Sequence, residues 1–203
     1  VLVTGPTGSG KTMALWLPCL AEYCNEHPTD YRQRRATGLR VLWITPLRAL
    51  ATDLQKAMQI ACDELDIPWR VGVRTGSTST SERQKQQRSP PQCLITTPES
   101  LHLLLSQPDA ARQFGQLRAV VLDEWHELLG SKRGVQVELA LARLRAIRAA
   151  NPPAIRADQP LRTWGISATI GNLGEAWQVL ADAPAGGSDA PTADAIDATE
   201  AII

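Results

Sequence analysis

At 203 residues the chain is long enough for one domain whose core needs neither disulfides nor a structural metal. Its 21 Lys+Arg balance 21 Asp+Glu, which excludes a globally basic nucleic-acid coat and leaves any phosphate contact to local patches. No apolar run reaches the roughly 18 residues that a membrane span needs, no basic-then-apolar leader is present, and Cys19, Cys24, Cys62 and Cys93 show neither zinc-site spacing nor secreted-scaffold density, so a soluble protein of the reducing cytoplasm is expected.

In chain order, short apolar runs predict strands over residues 1–4, 40–45, 69–74, 93–96, 118–122 and 161–166. Between them, helical patterns cover residues 11–26, 46–65, 98–106, 135–150 and 173–182, with Leu47, Leu50, Leu54 and Met58 as one apolar stripe. Strands alternating with helices predict an α/β fold, a mostly parallel sheet with helices on both faces. Pro18 is expected to kink or shorten the first helix. Residues 27–39 and 75–92 are polar, basic loops, and from Ala183 the composition turns to Ala, Pro, Gly, Ser and Asp. Residues 1–182 are therefore expected to form the domain, and residues 183–203 a linker or disordered tail. The chain opens at Val1 inside an apolar run, without an initiator Met, so an upstream segment is expected.

The segment Gly5-Pro6-Thr7-Gly8-Ser9-Gly10-Lys11-Thr12 lies between the first strand and the first helix. Glycines let the backbone curl so that N–H groups converge on phosphate oxygens, and the following helix points its positive end at the same anion. Lys11 neutralises β- and γ-phosphate charge, and the Thr12 hydroxyl is a ligand for Mg²⁺. ATP with Mg²⁺ is the expected cofactor pair.

The fifth strand ends in Asp123-Glu124-Trp125-His126. Ligands of open parallel sheets bind at this C-terminal edge. Asp123 is expected to hold Mg²⁺, partly through water, and Glu124 to align and deprotonate the attacking water.

Taken together, the motifs resemble a known family. Gly5–Thr12 is similar to helicase motif I, Thr45-Pro46-Leu47-Arg48-Ala49-Leu50 to motif Ia, Thr97-Pro98-Glu99-Ser100 to motif Ib, Asp123-Glu124-Trp125-His126 to motif II, and Ser167-Ala168-Thr169 to motif III. The stretches from Asp123 to Gly134 and from Trp164 to Asn172 resemble superfamily-two DExH helicases of the Lhr type, especially the bacterial ligase-associated group. The resemblance implies a RecA-like phosphate-loop NTPase domain that drives 3′ to 5′ movement on single-stranded DNA, with unwinding of duplexes or DNA–RNA hybrids in DNA repair. It also implies that His126, Ser167 and Thr169 couple nucleotide state to the nucleic-acid track. The implied partners are a second RecA-like domain and C-terminal domains of the same protein, with a DNA ligase or nuclease of a repair pathway.

For the track itself, Pro46, Arg48, Gly76, Thr97 and Glu99 are the candidates, because two loops that each start a helix after a strand would turn backbone N–H groups and a hydroxyl outward. Arg83, Lys85 and Arg88 either extend that groove or form a solvated helix face, and Lys132 and Arg133 reach either the strand or a neighbouring domain. Most of the tryptophans fit core or interface packing, with Trp43 in a strand and Trp164 beside the motif III strand, and none is assigned to DNA. Competing readings are an RNA helicase of the same class, a phosphate-loop kinase or nucleotide switch, and a non-catalytic docking module. The latter two would not need the motif Ia, Ib and III segments or an intact set of Lys11, Thr12, Asp123 and Glu124.

Overall fold

The computed structural model describes residues 2–5, 8–34, 38–151 and 160–167, together with the backbone of Ala195–Asp197. Seven parallel strands form one sheet, β1 (Leu2–Thr4), β2 (Val41–Ile44), β3 (Val71–Arg74), β4 (Cys93–Thr96), β5 (Ala119–Leu122), β6 (Arg162–Ser167) and β7 (Ala195–Asp197), in the order β3-β4-β2-β5-β6-β1-β7. The helices are α1 (Lys11–Glu26), α2 (Arg48–Glu64), α3 (Thr80–Arg88), α4 (Pro98–Leu105), α5 (Ala110–Phe114), α6 (Trp125–Leu128) and α7 (Lys132–Ala150).

Period-two alternation divides the core between the sheet's two faces. Leu42, Ile44, Leu94, Val120 and Leu122 pack with Leu101, Phe114, Trp125, Val137 and Leu141 of α4 to α7. Val41, Trp43, Ile95, Val121 and Ile166 face the other way, onto Leu15, Trp16 and Leu20 of α1 and Met58 of α2. Trp16, Trp43, Trp69, Trp125 and Trp164 are all buried, in keeping with packing roles.

Register brings the chemistry to one edge. Ile44 pairs with both Thr96 and Leu122, and Thr4 pairs with Ser167, so the chain leaves β1, β2, β4, β5 and β6 along a common rim. The glycine loop and the segments opening at Thr45, Thr97 and Asp123 follow directly. At the opposite rim, buried Glu26 at the end of α1 pairs with Arg40 at 2.5 Å and Arg118 at 3.2 Å, anchoring that helix to the starts of β2 and β5.

Four expectations change. Pro18 does not shorten α1, which runs unbroken from Lys11 to Glu26. Pro18 and Ala14 both face solvent, where water can take the Ala14 carbonyl that proline leaves without a donor. Within residues 75–92, α3 forms without an apolar stripe, capped by the Ser79 side chain and anchored by buried Gln86. Leu47 and Leu50, placed on the apolar stripe of α2, are 45% and 39% exposed, while Met58 further along is fully buried. Lastly, Ala195–Asp197, inside the stretch expected as linker, adds a strand beside β1. Its pairing rests on backbone hydrogen bonds that composition does not report. The helix expected over residues 173–182 lies outside the described residues, as do Pro6, Thr7 and Thr169.

Candidate nucleotide site and adjoining grooves

Gly8 and Gly10 adopt φ of +85° and +79°, left-handed values that favour glycine, and Gly10 caps α1. The curl leaves Lys11 buried with its Nζ donating to the Gly5 carbonyl at 2.5 Å, a contact that an arriving phosphate would replace. Across the rim, the Asp123 N–H donates to the Ile44 carbonyl at 2.8 Å, extending β5 by one residue and fixing where its carboxylate projects. Glu124 then turns into the left-handed region, with φ 48° and ψ 48°, and caps α6. A non-glycine residue held there stores strain of the kind that clusters at functional sites.

These segments close on one cleft of about 380 Å³, lined by Gly8, Gly10, Lys11 and Thr12 on one side and Asp123 and Glu124 on the other. Met13, Leu50, Asp53, Leu54, Ala57 and Ile166 complete it, and none of these had been expected at the site. The helical spacing of Leu47, Leu50, Leu54 and Met58 looked like core; Leu50 and Leu54, half of that stripe, border the cleft instead. Gly5 and Ser9 belong to the loop but not to the cleft lining.

Asp123 is 6% exposed, and its carboxyl is pushed up to about 6. Burial is the main cause and the neighbouring Glu124 charge adds to it, while Trp43, the Glu124 N–H and the Thr45 hydroxyl partly offset both. A buried carboxylate that resists ionising this way is stabilised by a cation. Among the described residues no group of three or more His, Cys, Asp or Glu side chains could hold a metal by itself. The oxygen donors Thr12 and Asp123 therefore fit a hard ion such as Mg²⁺ that keeps several waters and shares phosphate ligands.

From the cleft a polar chain leads to β6. His126 Nδ1 is 3.4 Å from Glu124 Oε2 and 3.0 Å from Ser167 Oγ, and its Nε2 is 3.5 Å from Glu127 Oε1.

The candidate nucleic-acid residues occupy the same rim but differ in availability. Arg48 makes no hydrogen bond or ion pair among the described residues. Its guanidinium lies over Gly76, 3.4 to 3.5 Å from where a β-carbon would stand. Thr97 is fully buried, and its hydroxyl donates to Ser100 Oγ at 3.1 Å while accepting from the Ser100 N–H at 3.4 Å. That hydroxyl caps α4 and is not turned outward as expected; a buried hydroxyl needs a partner, and Ser100 supplies it. Pro46 is buried with its carbonyl accepting from Arg133, and Glu99 is ion-paired to the same guanidinium at 2.7 Å. Arg83 donates to the carbonyls of Thr75, Gly76 and Thr78, so it shapes the turn carrying Gly76. Lys85 joins Arg48 in lining a polar groove of about 530 Å³ beside β3, whereas Arg88 is exposed outside it. The open edge of β3 is closed there by side-chain amides: Gln55 and Gln59 bond to Val71, and Gln86 to Val73.

A glycine curl with Lys11 and Thr12, facing two carboxylates at the C-terminal rim of a parallel sheet, defines a phosphate-loop nucleotide-binding domain. Residues 1–176 match the DEAD/DEAH box helicase family, to which the chain belongs. It is 42% identical over 158 residues to the Lhr helicase/uracil glycosylase of Escherichia coli K12, covering 72% of this chain and 10% of that protein. It is 36% identical over 154 residues to the ATP-dependent helicase Lhr-Core of Methanothermobacter thermautotrophicus, covering 71% of this chain and 18% of that one. Among solved structures, Mycobacterium smegmatis helicase Lhr bound to ssDNA and AMP-PNP superposes with a TM-score of 0.70 at 32% identity, covering 89% of this chain and 22% of that one. DUF1998 helicase MrfA bound to DNA gives 0.72 at 28%, with coverages of 90% and 24%. The chain thus spans between a tenth and a quarter of the length of these relatives.

Proposed function

We propose that this domain binds ATP with Mg²⁺, hydrolyses it, and uses the nucleotide cycle to drive movement along single-stranded DNA as part of a larger helicase. The observation that carries this is the shared cleft, where Lys11 and Thr12 stand opposite Asp123 and Glu124. The glycine loop holds the triphosphate through backbone N–H groups, and Lys11 leaves the Gly5 carbonyl to neutralise it. Bound Mg²⁺, held by Thr12 and by Asp123 partly through water, supplies further charge neutralisation. Glu124 positions and deprotonates the attacking water. His126, Ser167 and, on the family resemblance, Thr169 transmit the nucleotide state to the track formed by Arg48, Gly76 and the loops at Pro46, Thr97 and Glu99.

DNA as the track is favoured by the DNA-bound relatives, while 3′ to 5′ polarity, a repair setting, work on DNA–RNA hybrids and a ligase or nuclease partner rest on the family resemblance. A second RecA-like domain is part of the proposal, since phosphoryl transfer in such motors is completed by an arginine from outside this domain. Measuring ATP turnover by the full-length protein with single-stranded DNA, single-stranded RNA or neither tests it. Stimulation by DNA supports the reading, stimulation by RNA alone moves the track to RNA, and turnover indifferent to both would leave a nucleotide switch.

A further inference from the structure

Arg133, at the start of α7 and expected to reach either nucleic acid or a neighbouring domain, is engaged within this domain. Its Nε lies 2.7 Å from Glu99 Oε1, and its Nη2 lies 3.4 Å from Glu99 Oε2 and donates to the Pro46 carbonyl at 2.9 Å. One guanidinium therefore ties the loop after β2 to the first turn of α4, two segments 53 residues apart that are both candidates for the track. Burial alone would raise the Glu99 carboxyl, but its own N–H, Arg133 and Thr97 outweigh that and hold it below the ordinary carboxylate range.

The far end of this tie is the nucleotide site. Only a short path separates Arg133 from Glu124, and it is stiff. Ser131 caps α7 by accepting from the Gly134 N–H at 3.1 Å and donates to the Leu128 carbonyl at 2.7 Å, joining α7 to α6. Gly134 packs so tightly that an added β-carbon would lie 2.1 Å from that same carbonyl. A turn of α6 as Glu124 and His126 respond to nucleotide would be passed to α7, and through Arg133 to both loops at once.

We infer that Arg133 is a positioning residue that sets the Pro46–Arg48 and Thr97–Glu99 loops in a common geometry and couples them to the segment carrying Glu124. This rests on the ATP-driven motor reading, and the test separates the two. Full-length wild type is assayed first for DNA-stimulated ATP turnover; absence of stimulation defeats the motor reading itself. Where stimulation is present, Arg133→Gln keeps unstimulated turnover and Mg²⁺-nucleotide affinity within about twofold, and raises the DNA concentration for half-maximal stimulation by about tenfold. Arg133→Lys, which keeps the charge but not the fork, falls between. Glu99→Gln raises the half-maximal DNA concentration by a comparable factor, and in the double variant that rise is no larger than in the worse single one, since both remove one link. The salt dependence of DNA binding is the decisive readout. A positioning role leaves the log–log slope unchanged in Arg133→Gln, whereas a direct phosphate contact lowers it by about 0.7. A lowered slope, additive effects of the two single substitutions, or stimulation identical to wild type would each overturn the inference. Should Arg133→Gln not fold, Arg133→Met, which removes the charge while keeping an unbranched stem, is read for slope and half-saturation in the same way.

Discussion

His126 Nδ1 stands 3.0 Å from Ser167 Oγ, which joins α6 to the end of β6 by a contact between side chains 41 residues apart. The same ring nitrogen is 3.4 Å from Glu124 Oε2, so the imidazole lies between the proposed water-activating carboxylate and the strand that carries motif III. Ser167→Ala is therefore expected to leave ATP turnover within about threefold of wild type while strand displacement falls at least about tenfold, the signature of lost coupling. Parallel ATPase and unwinding assays on the full-length protein check this, and an equal fall in both would assign Ser167 to the chemistry instead.

Glu124→Gln keeps the size and polarity of the side chain but removes its basicity. Mg²⁺-nucleotide affinity should stay within about threefold, while turnover falls by roughly two to four orders of magnitude. Titration calorimetry and a phosphate-release assay measure the two quantities separately. Residual turnover near wild type would show that another group activates water.

The elevated Asp123 carboxyl makes stability depend on pH in a definite direction. Its folded pKa of about 6 lies above the ordinary 3.8, so between those values the folded state holds a proton that the unfolded state has released. Raising the pH through this window therefore destabilises the metal-free protein, by on the order of 2–3 kcal/mol in all. Asp123→Asn lacks that term. In EDTA it should be more stable than wild type at pH 7.5, with the difference shrinking toward zero near pH 4; chemical denaturation at the two pH values checks this. A constant difference would mean that burial of Asp123 does not carry the effect.

Arg48 has no partner among the described residues, and the bare backbone of Gly76 gives its guanidinium room. Arg48→Ala is expected to weaken single-strand binding across sequences and to lower the salt slope by about 0.7, unlike the Arg133 substitutions. Fluorescence anisotropy across a salt series measures this; an unchanged slope would remove Arg48 from the track.

The strands were legible because most of those described between residues 2 and 167 are short apolar runs, and the two halves of the nucleotide site were legible because glycine spacing and a strand-end carboxylate pair carry their own geometry. What escaped the sequence was decided by partners distant along the chain. Helix α3 buries only Gln86, which gives no periodic apolar signal. The hydroxyl of Thr97 is buried and paired with Ser100 at the start of α4, an orientation that the motif alone does not distinguish from an outward one. The tie made by Arg133 within the domain was not legible because its two partners, Glu99 and Pro46, lie 34 and 87 residues away. Leu50 was read as core because period alone cannot separate a face covered by protein from one bordering a ligand cleft.

A crystal structure of the full-length protein with Mg²⁺ and a non-hydrolysable ATP analogue tests the central claim most directly. The triphosphate should lie in the loop from Gly5 to Thr12, with Lys11 moved from the Gly5 carbonyl to the β- and γ-phosphates. The ion should stand about 2.1 Å from Thr12 Oγ1, and a water near Glu124 should be in line with the γ-phosphate. An analogue bound elsewhere, or one in the loop with Asp123 and Glu124 turned away from its phosphates, would contradict the account.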